Sequence, residues 1–222
     1  SLTKKEVEKL IEEAVKLRKI QMTPDSKEEL NKIPLLSIDD IEKEVEKIPI
    51  EEKKEKDIKV LFHPLFTNGI IYMNLYFDID MVPENLIPYI SLLSQLLGKL
   101  DTKTYNYIDL SNEVNTHTGG IQYRVEAFSE KDNDDIYHPK FIIKSRALIK
   151  KLPQLNSLLN DIMINTQFSD DQRIKEIIQE TKSRIEKRIQ GQGHLVVANR
   201  IYSYFSPLGH YLELLNGIEY YK

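Results

Sequence analysis

The chain has no cysteine and no tryptophan among its 222 residues, and only 8 glycines. Without thiols there is no disulfide framework and no thiolate metal site. A reducing compartment is the default, and a cytoplasmic setting is the expectation. Basic residues are not in excess either: 31 Lys and Arg stand against 35 Asp and Glu, for a net charge of −4. Nucleic-acid binding needs a basic face, so no nucleic-acid partner is expected. Apolar runs are short; pieces such as Leu93 to Leu97 are broken by polar residues. They fall well below the roughly 20 residues that span a bilayer, so no membrane partner is expected. The opening residues do not read as a signal peptide. Gly119-Gly120 and Gly191-x-Gly193 are too sparse to cradle phosphate and read as helix stops or tight turns. No G-x-S-x-G elbow is present. His63, His117, His138, His194 and His210 include no pair at helical spacing, and structural or surface roles are the plainer reading.

What is present divides by texture near position 57. Thr3 to Glu6 is a capping box, in which hydroxyl and carboxylate each satisfy a free backbone N–H. Behind it Val7, Leu10, Ile11, Ala14 and Leu17 recur at three- and four-residue steps and predict one apolar stripe on a helix. Pro24 stops that helix. Short helical pieces are predicted near Ser26 to Asn31 and after a second capping box at Ser37 to Asp40. Glu42 to Asp57 is almost wholly Glu and Lys and reads as a solvated connector. From Ile58 the period changes. Val60 to Phe62 and Ile70 to Ile79 read as two strands joined around Thr67-Asn68-Gly69, which permits positive φ. Ile71, Met73, Leu75, Phe77 and Ile79 share one face of the second strand, and Tyr72, Asn74, Tyr76 and Asp78 the other. Helices follow over Glu84 to Lys99 and Ile108 to Thr116. A strand through Ile121 to Ala127 and another over Lys140 to Leu148 flank a polar loop at 130–135. Helices are then predicted at Leu152 to Asn165, at Asp171 to Gln190 with a capping box from Ser169 to Gln172, and at Leu195 to about Phe205. Ile174, Ile177, Ile178, Ile185 and Ile189 form the expected buried stripe of the second. This order describes an α+β fold, an antiparallel-rich sheet with helices packed on one face and a helical segment before it.

Four stretches carry a resemblance: Gln21 to Ile41, Leu65 to Asp78, Val82 to Gly120 and Phe168 to His194. In this order they resemble the presequence-protease (falcilysin-like) branch of the insulinase, or pitrilysin, zinc metallopeptidases. The resemblance implies an insulinase-like fold. It identifies residues 1–57 as the tail of a helical hinge with its charged connector. Residues 58–222 would be most of a third domain, a catalytically inactive copy of the first and truncated at its C-terminus. Enzymes of this family carry H-x-x-E-H on a helix, where two imidazoles one turn apart bind zinc and the Glu serves as base. At the matching place stand Leu92, Leu93, Ser94, Gln95 and Leu96. Hydrocarbon offers zinc no lone pair, and an amide takes no proton from water near neutral pH. Glu180 falls in motif order where the family's third ligand would be. Its plainer reading is an exposed or salt-bridged helix residue. No catalytic or metal-binding residue is therefore assigned, and zinc would be bound outside this segment.

Two readings of function stay open at this stage. In the first, the chain is a non-catalytic part of a zinc metalloendopeptidase that degrades short unfolded peptides. It would form part of a closed chamber wall and the hinge, with peptides and the N-terminal catalytic half of the same polypeptide as partners. Tyr72, Asn74 and Tyr76 would be candidate chamber lining, or would simply pack under a helix. In the second, it is a stand-alone, non-enzymatic scaffold or interaction module related to inactive processing-peptidase-type subunits.

Overall fold

The computed structural model describes residues 3–41, 44, 47–131 and 133–222. Positions 42, 43, 45 and 46 of the expected connector, and position 132 of the expected polar loop, lie outside the described residues. Two compact units divide between Leu65 and Phe66, rather than after Asp57.

The first unit opens with α1 (Lys4–Met22), whose Thr3 cap accepts from the Glu6 amide while Glu6 returns a carboxylate to the Thr3 amide. The same reciprocal pairing at Ser26 and Glu29 starts the single-turn α2 (Lys27–Leu30). The predicted apolar stripe of α1 forms, yet Val7, Leu10, Ile11 and Leu17 all stay exposed. Part of the charged connector is folded, which corrects the sequence reading. Strand β1 (Glu51–Glu55) pairs antiparallel with β2 (Ile58–Phe62) around Lys56 and Asp57. Lys56 takes a left-handed φ of 56° at that turn. The Glu-Lys run suits a solvated hairpin, because Lys59 reaches Glu52 at 2.9 Å and Lys53 lies 4.9 Å over the Phe62 ring. The expected hairpin between Val60 to Phe62 and Ile70 to Ile79 therefore does not form. Thr67 to Gly69 is still a turn, with left-handed φ at Asn68 and Gly69, but it leads into a different sheet.

That sheet belongs to the second unit and has the order β3 (Ile70–Asp78), β5 (Asn133–Leu148), β4 (Ile121–Glu130), all antiparallel. Opposed residues share a face, so the register sorts every side chain. One face holds Ile71, Met73 and Leu75 with Ile143, Ala147, Tyr123 and Val125. It packs on Leu110 of α4 (Tyr107–His117) and on Leu155, Leu158 and Ile162 of α5 (Leu152–Asn165). The other face aligns Tyr72 with Arg146, Asn74 with Lys144 and Gln122, and Tyr76 with Ile142 and Arg124. The architecture is α+β, with helices on one sheet face, as the sequence implies.

The remaining helices close the layer. Ile87 to Leu96 forms α3, the core of the predicted longer helix, after a 3₁₀ turn at Glu84–Leu86. The long α6 (Asp171–Gly191) is capped by Asp170, which accepts from Arg173, and not by Ser169. Of its expected stripe Ile177 is buried, Ile174, Ile185 and Ile189 are half-buried and Ile178 is exposed; Thr181 completes the dry row. Then come α7 (Gly193–Tyr202), α8 (Pro207–Asn216) and a last turn, α9 (Ile218–Tyr221). Sequence reasoning passed over α8, although Ser206 caps it and Pro207 opens it.

Candidate functional site

Helices α3 and α6 bring together the residues that the motif comparison singled out. Leu96 is 6% exposed and packs with Leu100 and Ile177, and Leu92 and Ile174 close the same cluster. Both leucines thus face hydrocarbon from α6, in positions where imidazoles would need lone-pair contact with a metal. Gln95 points instead to Arg184, whose terminal nitrogen donates to its side-chain oxygen at 2.9 Å. The same guanidinium donates to the buried Thr181 hydroxyl at 3.1 Å and lies 3.8 Å from Glu180. Glu180 remains 63% exposed. Arg184 is the residue that sequence reasoning missed: its guanidinium ties Gln95 to Thr181 and lies beside Glu180. The donor set does not fit zinc: two aliphatic side chains, one amide and one solvated carboxylate offer a single anionic ligand.

Elsewhere among the described residues, no three His, Asp or Glu side chains converge as a metal ion would need. His117 accepts at Nδ1 from the Lys151 ammonium (2.9 Å), which fixes its proton on Nε2, facing Glu113 at 3.3 Å. His138 pairs with Glu130 at 3.2 Å and His210 with Glu84 at 3.0 Å, both at exposed positions. His63 reaches the Pro49 carbonyl at 2.9 Å, and His194 is exposed on α7.

A cleft of about 210 Å³ lies between Leu92 and Tyr89 of α3 and Ile178, Thr181 and Ile185 of α6, bordered by Tyr220. It is largely apolar and adjoins the leucine positions. The second candidate surface is the polar sheet face. Tyr72 and Tyr76 are 59% and 54% exposed, so they do not pack under a helix of this unit. Lys144 bonds Glu126 at 3.0 Å and Lys140 pairs with Asp78 across the strands. On the same face Ile142 is fully buried.

No described helix is long and apolar enough to cross a membrane. The whole chain, residues 1–222, matches the model of the family described as peptidase M-16C associated. It is 39% identical over 221 residues to protein HypA of Clostridium perfringens, covering 100% of this chain and 23% of that protein. Presequence protease 1, chloroplastic/mitochondrial, of Arabidopsis thaliana is 31% identical over 220 residues, covering 99% of this chain and 20% of its own. The mitochondrial presequence protease of Xenopus tropicalis is 24% identical over 222 residues, 100% of this chain and 21% of its own. The chain thus spans about a fifth to a quarter of the length of the curated relatives it matches. Matched from its first residue to its last, the chain belongs to the peptidase M-16C associated family.

Proposed function

We propose that the chain is a non-catalytic segment of a zinc-dependent metalloendopeptidase that degrades short unfolded peptides. Zinc and hydrolysis are supplied by the N-terminal catalytic half of the same polypeptide. The observation that supports this best is the α3–α6 contact. A helix pair in the right order for a metal site is filled with Leu92, Leu96 and Ile177, and Arg184 neutralises what carboxylate remains. Such a pair keeps the shape of a hydrolytic lobe without its chemistry.

In this reading the exposed sheet face with Tyr72, Asn74 and Tyr76 is part of a chamber wall, which selects peptides by size through enclosure. Residues 1–57 are the tail of the hinge that lets the chamber open and close, a gating role of the kind lids play elsewhere. The cytoplasmic setting expected from a cysteine-free composition is part of the reading. The Arabidopsis relative carries chloroplast and mitochondrion in its name, and fractionation of the native protein decides the compartment.

The purified 222-residue chain is expected to cleave no peptide with zinc supplied, whereas the full-length polypeptide cleaves peptides and stops on chelation. Chelator-sensitive proteolysis by the chain alone overturns the proposal. A disulfide locking the two halves of the full-length protein closed should halt turnover; undiminished turnover removes the gating role.

A further inference from the structure

We propose that the Arg146 end of the polar sheet face is a docking site for a peptide carboxylate. This rests on the reading of that face as a peptide-facing wall, and deepens it by naming the chemical group the wall recognises. The site is a cleft of about 190 Å³ between Tyr72 and Asn74 of β3, Lys144 and Arg146 of β5 and Gln122 of β4, closed at one end by Gly119 and Gly120.

Arg146 is held there by a single loop residue. Its Nε–H donates to the Gly119 carbonyl at 2.8 Å, and its own carbonyl accepts from the Gly119 amide at 2.8 Å. A side chain at 119 would push Arg146 out of this position, since an added Cβ would lie 2.8 Å from both its Cγ and Nε. Gly120 continues the turn at a φ of 114°, a value that glycine adopts readily. With Nε engaged, the two terminal nitrogens of Arg146 have no hydrogen-bond or ion-pair partner among the described residues. Two N–H groups side by side on a rigid plane match the two oxygens of a carboxylate.

The surroundings have the complementary sign. On this face Arg124 and Lys144 share one carboxylate, Glu126, at 3.9 and 3.0 Å. Arg146 adds a third cation, which has no ion-pair partner among the described residues. The patch is therefore positive within a chain whose net charge is −4. Tyr72, Asn74 and Gln122 add neutral donors around the cleft, so a carboxylate set against Arg146 has further hydrogen bonds within its lining. The occupant is the anionic group of a peptide, either its free C-terminus or an acidic side chain.

The test uses the isotopically labelled 222-residue chain and three short unstructured peptides. One has a free C-terminus and no acidic residue, the second is its C-terminal amide, and the third is that amide with one internal Glu. The free acid is expected to shift the Arg146 Nε–H and the Gly119 and Gly120 amide signals. Amidation should weaken binding about tenfold, the scale of a hydrogen-bonded charge pair. Recovery of affinity by the Glu peptide assigns the site to side-chain carboxylates as well; failure to recover assigns it to the terminus, and either supports the proposal. Arg146→Lys keeps the charge and removes the fork. It should bring the free acid down to the amide's affinity and leave the amide's own binding unchanged. Equal binding of free acid and amide overturns the proposal, as does Arg146→Lys weakening both alike, or inorganic phosphate displacing the free acid at equal concentration. Peptides that shift only the Tyr72 and Tyr76 signals, whatever their carboxylates, sink this site and leave the wall reading standing. If none of the three binds, this site falls, while the wall reading, which needs enclosure and not affinity, is judged by the full-length protein.

Discussion

Asp161 shows how one carboxylate sets a connection. It is buried on α5 and accepts from the Thr102 hydroxyl (2.6 Å), the Thr104 hydroxyl (2.9 Å) and the Asn165 amide (2.8 Å). Thr102 in turn accepts from the Tyr105 amide at 3.0 Å, so this side chain joins α5 to the loop between α3 and α4, beside the bonds that Asp101 makes to Tyr107 and Gln167. Burial pushes the Asp161 carboxyl up, but the three hydrogen bonds outweigh it and hold it below the ordinary value. Because the folded-state value is depressed, its stabilisation is present above the unfolded carboxylate range and is lost as pH falls through the folded value. Asp161→Ala should cost about 2–3 kcal/mol, read as a lower urea midpoint at unchanged slope. Asp161→Asn should flatten the acid limb of the stability curve below about pH 5.

Tyr123 presents the opposite case. Its hydroxyl is buried with no hydrogen-bond partner among the described residues, and burial drives its ionisation far up. Tyr123→Phe should therefore be neutral or stabilising by up to about 1 kcal/mol in thermal denaturation. A loss of stability would reveal a water or ligand bonded there. Gly209 is fixed by contact rather than by φ, since a Cβ would lie 2.8 Å from the Tyr202 carbonyl oxygen, where α7 turns into α8. Gly209→Ala should cost about 1–3 kcal/mol in the same assay.

At the scale of elements, the α3–α6 pair makes a sharper demand. Writing H-x-x-E-H back into α3 as Leu92→His, Gln95→Glu and Leu96→His should not create a zinc site. The imidazole at 96 would enter the Leu100 and Ile177 cluster, and Glu180 would stay beside Arg184 in solvent. A lower melting temperature and no stoichiometric zinc in calorimetric titration are expected; tight binding of one zinc would show that the site is only dormant. How far such elements were legible follows from what defines them. The span of α5 agrees with the sequence reading and that of α6 differs by one residue at its end, because each has an apolar stripe and a local start signal. The β1–β2 hairpin was hidden because a Glu-Lys run has no period-2 pattern to betray a strand. The first half of β5 was hidden by Pro139, which the register accommodates opposite Ala127. Arg184 bridging Gln95 and Glu180, and Arg146 lying on Gly119, join residues distant in sequence. Only the folded register brings them together.

At the scale of the whole molecule, stability is uneven. Every described residue of α1 is exposed, and a 19-residue helix without a buried face is marginal in water. Its amides should exchange with solvent at least about 100-fold faster than those of β5, whose strand is bonded on both sides. Hydrogen exchange read by mass spectrometry checks this, and equal protection would mean that the stripe of α1 has found a partner. Long-range order depends on β5 in another way too. Among the described residues β3 is bonded to no strand but β5, and Ile71 waits for Ala147, whereas β4 meets β5 through a short reversal at Glu130 and Asn133. As the polypeptide leaves the ribosome, β3 therefore emerges as an orphan, offering an open hydrophobic edge to any neighbouring nascent chain until β5 is translated. The cell's holding chaperones have their natural target in that interval, and a slow codon run just upstream of β5 would lengthen the danger.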